Sequence, residues 1–172
     1  MIVIGNSGFI GQHLVNYLGF GSINFDINNK DGITHFCDVR KHIDFESKDQ
    51  IDVIYNLAAI HKTPGHEYFE YFETNIKGAE NVCDFARRKD ISTIVFTSSI
   101  APYGMREEEQ TEESLPMPTN EYGISKLVAE HVHRIWQAEK PDQRSLIILR
   151  PGIVFGKGEG GNFSRLYSAM SK

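Results

Sequence analysis

The chain has 172 residues, 40% hydrophobic and 24% charged, with a formal net charge of −5. A chain of this size buries roughly two thirds of its extended surface and folds as one compact unit. The ordinary composition excludes a disordered or fibrous protein, and the mildly acidic balance, with no basic stripe, excludes a partner held through a nucleic-acid backbone.

In chain order, short β-branched runs alternate with helical periodicity, which is the pattern of βαβ units. The run IVI (Ile2 to Ile4) leads into glycine-rich GNSGFIG and a helix over Phe9 to Leu18. SINFD, ending at Asp26, and THF, before Cys37, read as the second and third strands, with a short helix expected near His42 to Lys48. DVIYNLA from Asp52 is the fourth strand, followed by a helix over Tyr68 to Arg88; STIVFTS from Ser92 is the fifth. The charged, proline-punctuated stretch from Arg106 to Pro118 reads as a surface loop, a flap over a site, before a helix from Thr119 to Ala138. SLIILR, ending at Arg150, is the sixth strand. Strands apolar nearly throughout fit a parallel sheet covered on both faces. Right-handed crossovers then give an α/β, doubly wound, Rossmann-like sheet in the order 3-2-1-4-5-6. The opening MIVIGNSG turns glycine-rich too early for a signal core, no run is long enough to span a bilayer, and a cytoplasmic protein is expected. Cys37 and Cys83 lack metal-ligand or disulfide spacing, so they are read as small hydrophobes and no metal is expected.

Gly5, Gly8 and Gly11 lie between the first strand and first helix, where glycine permits a tight turn, close approach to a pyrophosphate, and close helix–strand packing. The helix N-terminus adds free N–H groups and partial positive charge. Asp26 ends the second strand at about the offset where a carboxylate accepts the ribose hydroxyls of a dinucleotide. Its charge repels a 2′-phosphate, and only Lys30 stands near to attract one, so NAD is favoured over NADP.

Tyr122 and Lys126, in NEYGISK, share one helix face. An adjacent ammonium and a nicotinamide cation both favour the phenolate and are expected to lower the tyrosine pKa for proton exchange with a sugar hydroxyl, while the lysine holds the nicotinamide ribose. Ser99, in TSSIAPYG, falls just beyond the carboxyl end of the fifth strand, the edge where open α/β sheets bind ligands. Its neighbour Ser98 is better explained as a serine that closes a strand.

As a set, GNSGFIG, Asp26, CDVR, NLAA, TNIKG, TSSIAPYG, YGISK and RPGIVFGKG resemble, in order, the extended short-chain dehydrogenase/reductase superfamily, its NAD-dependent nucleotide-sugar epimerases and dehydratases in particular. The resemblance implies that Phe9 and Ile10 join the glycines at the pyrophosphate, that Asp38 and Val39 meet the adenine, and that Leu57, Ala58 and Ala59 line the cofactor cleft. It places His61 near the nicotinamide-side ribose, Asn75 as a support of the site, and Pro151 to Val154, Ile153 included, beside the nicotinamide. Ser99, Tyr122 and Lys126 become the catalytic set, for orientation, proton exchange and cofactor anchoring. It also implies a homodimer through the two long helices, with Val128, Val132, Ile135 and Trp136 either at that interface or in the core.

The dehydratases of this group carry an Asp-Glu pair where this chain has Ile100 and Ala101, so the expected activity is epimerisation, reduction or oxidation of a nucleotide-linked sugar. Residues 1–160 are expected to form the NAD-binding, catalytic domain and 161–172 to begin a substrate lobe that is mostly absent. The alternative is an NAD-binding module with little or no turnover.

Overall fold

The structure, a computed structural model, describes residues 1–29, 34–62, 65–159 and 161–171; Lys30 lies outside the described residues. Six parallel strands form one sheet: β1 (Ile2–Ile4), β2 (Ile23–Asp26), β3 (His35–Phe36), β4 (Val53–Asn56), β5 (Thr93–Thr97) and β6 (Ser145–Leu149). They pair in the order β3-β2-β1-β4-β5-β6, with Ile4 facing Phe25 on one side and Asn56 on the other. The helices are α1 (Phe9–Leu18), α2 (Tyr68–Tyr71), α3 (Gly78–Arg88), α4 (Glu121–Ala138) and α5 (Asn162–Met170). A π-helical turn, Phe72–Lys77, joins α2 to α3 without a break.

Strand alternation divides the buried residues between two faces. Ile2, Ile4, Ile54, Ile94 and Phe96 point to one face and pack with Val82, Phe85 and Ala86 of α3 and with Ala129 and Trp136 of α4. Val3 is fully buried yet outside that cluster, and so faces the opposite layer. That second layer is thinner than the sequence leads one to expect. On β6, Ile147 and Leu149 are 49% and 48% exposed, so helical cover on this face does not extend to β6 among the described residues. The crossover β1-α1-β2 runs away from β5 and β6, so α1 shields only the other half of the sheet.

Two further expectations change. Residues 42–48 are not helical. Ile43 and Phe45 both turn inward at a spacing of two, Phe45 meeting the Phe25 ring edge-on at 4.9 Å, while the Arg88 guanidinium satisfies the Ile43 carbonyl at 2.7 Å. That spacing suits extended chain and defeats a helix. The helix expected from Thr119 begins at Glu121, because the Asn120 side chain caps it by accepting from Gly123 N at 2.8 Å. Of the four α4 residues left open between core and interface, Trp136 is fully buried and Val132 packs on the core, whereas Val128 and Ile135 are exposed.

Beneath α4, the fully buried His133 stacks on Phe96 at 4.2 Å. Its Nδ1 donates to the Ala129 carbonyl at 2.7 Å and its Nε2 faces Asn56 Nδ2 at 3.3 Å, which fixes a neutral tautomer. Burial pushes its pKa down to about 4. The unfolded histidine takes up a proton near pH 6.5 and the folded one only near 4, so stability is complete above about 6.5 and falls as the pH drops between those values. The thermal midpoint is therefore expected to fall by several degrees between pH 7 and pH 4.5. In His133→Phe the starting midpoint is lower but the slope over this window is flatter. An unchanged slope would show that other groups carry the acid sensitivity.

Candidate active site

The strand order reverses between β1 and β4, and a cavity of about 650 Å³ opens at the carboxyl ends of the strands there. Its wall includes Gly5, Gly8, Phe9, Ile10, Gly11, Asp26, Asp38, Val39, Leu57, Ala58, Ala59, His61, Ser99, Tyr122, Lys126 and Pro151. The fold therefore brings together all but two of the residues singled out in the sequence. Asn75 and Ile153 do not line the cavity; Ile153 is 79% exposed, and its neighbour Val154 takes the lining position.

The glycine turn is dictated by crowding. Gly5 has φ +88, and a Cβ there would lie 2.9 Å from Ala58 N, while a Cβ at Gly11 would run into the backbone of Gly5 and Asn6. Gly8 differs, since an added Cβ would meet nothing closer than Gly5 O at 3.5 Å. The protein has room for a side chain at position 8, and the reason for glycine lies on the cavity side. Gly8 is also the N-cap of α1 and offers no side chain to the first-turn N–H groups, which remain available to an anion. These features fit the pyrophosphate of a dinucleotide.

At the adenosine end, the buried Asp26 carboxylate is aimed by two backbone donors, Ser7 N to Oδ2 and Asn28 N to Oδ1, each at 2.9 Å. Each oxygen keeps a lone pair for a ribose hydroxyl. Asp38 is engaged by Arg40, whose Nε and Nη2 both reach it at 2.8 Å and hold its carboxyl below the usual range. Its side chain is thereby fixed against the cavity wall. Cys37 lines the same end, where burial and the flanking aspartates push its thiol up to about 11.

The opposite end holds Ser99, Tyr122 and Lys126. The pairing of β5 and β6 continues past the strands through Ser98 N to Leu149 O and Ile100 N to Pro151 O, at 2.7 and 3.1 Å. Both serines border the cavity, and alternation along this tail turns the Ser98 hydroxyl inward to Glu130 beneath α4 and the Ser99 side chain the other way. Tyr122 reaches Ser99 because Gly123 allows the first turn of α4 to lie against Ala101; a Cβ there would sit 2.7 Å from the Ala101 carbonyl. Ser99 Oγ accepts from Ala101 N at 3.1 Å, which leaves its proton for the Tyr122 oxygen.

Here the geometry corrects an expectation. In the protein alone the Lys126 ammonium does not lower the tyrosine pKa: burial raises it and the bond from Ser99 opposes that only in part. Lys126 donates instead to the Thr97 carbonyl at 2.6 Å and stands 4.4 Å above the Phe96 ring, and burial pulls its own pKa down to about 7. A lysine turned to a carbonyl, its ammonium disfavoured by burial, exerts little pull on a phenol.

Asn75 lies in the π-helical turn, 3% exposed, and spends its amide within the protein. Its Oδ1 accepts from Ile60 N at 3.0 Å, and its Nδ2 donates to Ile60 O at 3.1 Å and Ser125 Oγ at 2.9 Å. It thereby ties the chain after β4 to the helix bearing Tyr122 and Lys126. Sequence reasoning missed the π turn, the lock of Arg40 on Asp38, and the buried Glu130 and Arg150 behind the site. For Glu130 a signal existed: it continues the i, i+4 series of Tyr122 and Lys126.

Comparison with known proteins agrees with this geometry. Residues 1–172 match the NAD dependent epimerase/dehydratase family. The chain is similar to N-acetyl-alpha-D-glucosaminyl-diphospho-ditrans,octacis-undecaprenol 4-epimerase of Escherichia coli O157:H7, with 35% identity over 99% of this chain and 54% of that protein. It is similar to the UDP-glucose 4-epimerase of Vibrio cholerae, with 28% identity over 100% of this chain and 57% of that one. Among solved structures it superposes on MoeE5 in complex with UDP-glucuronic acid and NAD with a TM-score of 0.81 and 26% identity, over 98% of this chain and 60% of that one. The chain thus spans somewhat more than half the length of the relatives it matches. The extent of the match and the residues at the sheet edge together assign the chain to the NAD dependent epimerase/dehydratase family.

Proposed function

We propose that the chain is the NAD-binding and catalytic portion of an epimerase or oxidoreductase acting at a carbinol or keto carbon of a diphosphate-linked sugar. The observation that carries this reading is the placing of Ser99, Tyr122 and Lys126 at one end of the cleft whose other end is the glycine turn and Asp26. NAD, when bound, supplies the hydride acceptor. Ser99 orients the reacting hydroxyl, Tyr122 exchanges its proton, and Lys126 holds the nicotinamide ribose. With Tyr122 ionised, its oxygen would take the hydroxyl proton while bound NAD would supply the hydride acceptor for the adjoining carbon, and an epimerase would return the hydride to the opposite face. Dehydration is not expected, because Ile100 and Ala101 offer neither acid nor base beside Ser99.

The sugar carrier is read first as a nucleotide, as in the relatives acting on UDP-sugars. A second reading, a polyprenyl diphosphate, is favoured by the 35% identity to an enzyme named for such a substrate. Either carrier suits work on surface polysaccharide or its precursors. We assign residues 161–172, with Leu166, Tyr167 and Met170 exposed on α5, to the start of a substrate-binding lobe. A homodimer through α2 to α4 is supported by the exposed Tyr68, Phe69, Val128 and Ile135. Both cysteines are free, in keeping with a reducing, cytoplasmic compartment. If the chain binds NAD by calorimetry yet neither reduces it nor interconverts epimers, followed by product analysis, with UDP-glucose, UDP-N-acetylglucosamine or the undecaprenyl diphosphate sugar, it is a binding module and not an enzyme.

Two substitutions test the assignments. Tyr122→Phe is expected to lower turnover by roughly 10²- to 10⁴-fold with little change in NAD affinity, measured by sugar-product analysis and calorimetry; unchanged turnover would remove Tyr122 from its role. Gly8→Ala should keep the thermal midpoint of the parent while weakening NAD binding by about tenfold or more, since the added methyl meets the ligand and not the protein. Gly11→Ala should instead lower the midpoint. Equal NAD affinity in Gly8→Ala and the parent would show that the pyrophosphate does not approach this turn.

A further inference from the structure

Directly beneath the proposed catalytic groups lies a second polar layer that the chemistry above does not use. Glu130, one turn beyond Lys126 on α4, is 1% exposed, and its carboxylate is fully engaged. Ser98 Oγ donates to Oε1 at 2.5 Å, Arg150 Nε to Oε1 at 2.9 Å, and Arg150 Nη2 to Oε2 at 2.5 Å. Ser98 immediately precedes Ser99 and Arg150 immediately precedes Pro151, so one side chain fastens the ends of β5 and β6 to the helix that presents Tyr122 and Lys126. The Arg150 guanidinium lies 4.6 Å over the Tyr103 ring, which closes the layer from the turn following Ser99.

Structural stability alone is a poor account of this pair. A buried ion pair seldom stabilises a fold more than apolar side chains of the same volume. The charges do have work nearby. Around the buried Lys126 ammonium, β5 contributes the Phe96 ring and the Thr97 carbonyl and α4 contributes Glu130 and His133, while Arg150 and Tyr103 stand on the far side of Glu130. His133 is neutral above its depressed pKa of about 4. Of the neighbours of Lys126 named here, Glu130 carries the negative charge, and it opposes the burial that strips the ammonium of its proton.

We propose that Glu130 is a positioning residue for the Ser99, Tyr122 and Lys126 set, clamping the ends of β5 and β6 to α4 and serving as the counter-charge of the buried Lys126 ammonium. This rests on the reading of those three residues as the catalytic set.

The test is a pH titration of Lys126 by NMR in the chain labelled with ¹³C-lysine, assigned with Lys126→Met, beside NAD affinity by calorimetry. Glu130→Gln keeps the shape and removes the charge. It should lower the Lys126 midpoint by about one pH unit. NAD affinity should then match the parent at pH 5.5 and fall by roughly tenfold above pH 7.5, a pH-dependent loss that damaged packing would not give. Arg150→Gln removes the opposite charge and should move the midpoint upward; it carries the test if Glu130→Gln does not fold. Glu130→Asp, charged but shorter, should restore most of the midpoint. A Lys126 midpoint that stays in place in the folded variants overturns the proposal. Unchanged NAD affinity in Lys126→Met would instead overturn the underlying reading of Lys126 as the cofactor anchor, while the titration still decides whether Glu130 holds it.

Discussion

A cation kept where water scarcely reaches it is the constraint around which this site is organised. Lys126 is 2% exposed, and its ammonium has the Thr97 carbonyl and the face of Phe96 in place of a hydration shell. Burying such a charge is costly, and the protein meets the cost by enclosing it with matched groups. Those groups come from α4, from β5 and from the tail of β6, so the electrostatic requirement of one side chain fixes the relation of three elements. Ser99 inherits its position from this arrangement, because the Ser98 hydroxyl is held inward by Glu130 and alternation turns the Ser99 side chain the other way. Tyr122 inherits its own from the close seat of Gly123 on Ala101.

The other end of the cleft follows a different principle, that of backbone proximity. Gly5 and Gly11 are required because main chain meets main chain between β1, α1 and the residues after β4. The same crowding orients the start of α1 toward the cavity and places Ser7 N on Asp26. Phosphate recognition therefore depends on N–H groups whose direction is set by the fold and is insensitive to pH, whereas the catalytic end depends on side chains whose charge is not. If the glycine turn holds a pyrophosphate and Lys126 a ribose, as proposed, the two ends should respond differently to conditions: the first grip stays constant, and the second weakens as Lys126 loses its proton.

Most of this fold was legible in the sequence because short β-branched strands and amphipathic helices leave periodic signatures. All six strands and the long helices fall where periodicity places them. The failures share a physical cause. The stretch 42–48 is locally permissive, and long-range contacts of Ile43 and Phe45 with the core decide it. The π turn at Asn75 arises within a run of ordinary helix formers, and its side-chain bonds to Ile60 and Ser125 lie far apart in sequence. Likewise the expected effect of Lys126 on Tyr122 was inferred from their spacing. Spacing gives the shared face of a helix, but where a flexible four-carbon side chain ends is settled by the nearest acceptor, here the Thr97 carbonyl.

The catalytic set itself limits what the site can recognise. On the proposed reading Ser99 and Tyr122 act on a single hydroxyl and Lys126 on a ribose, and neither demand specifies what the sugar is attached to. Discrimination among diphosphate-linked sugars must then come from contacts remote from the reacting carbon, which are also the source of the binding energy that holds that carbon in register with hydride acceptor and phenol. A chain with an intact cofactor cleft and a fixed catalytic set can bind NAD fully and still turn over slowly wherever those remote contacts are few. Cofactor affinity and turnover are therefore separable properties of this architecture, and only turnover reports on the carrier.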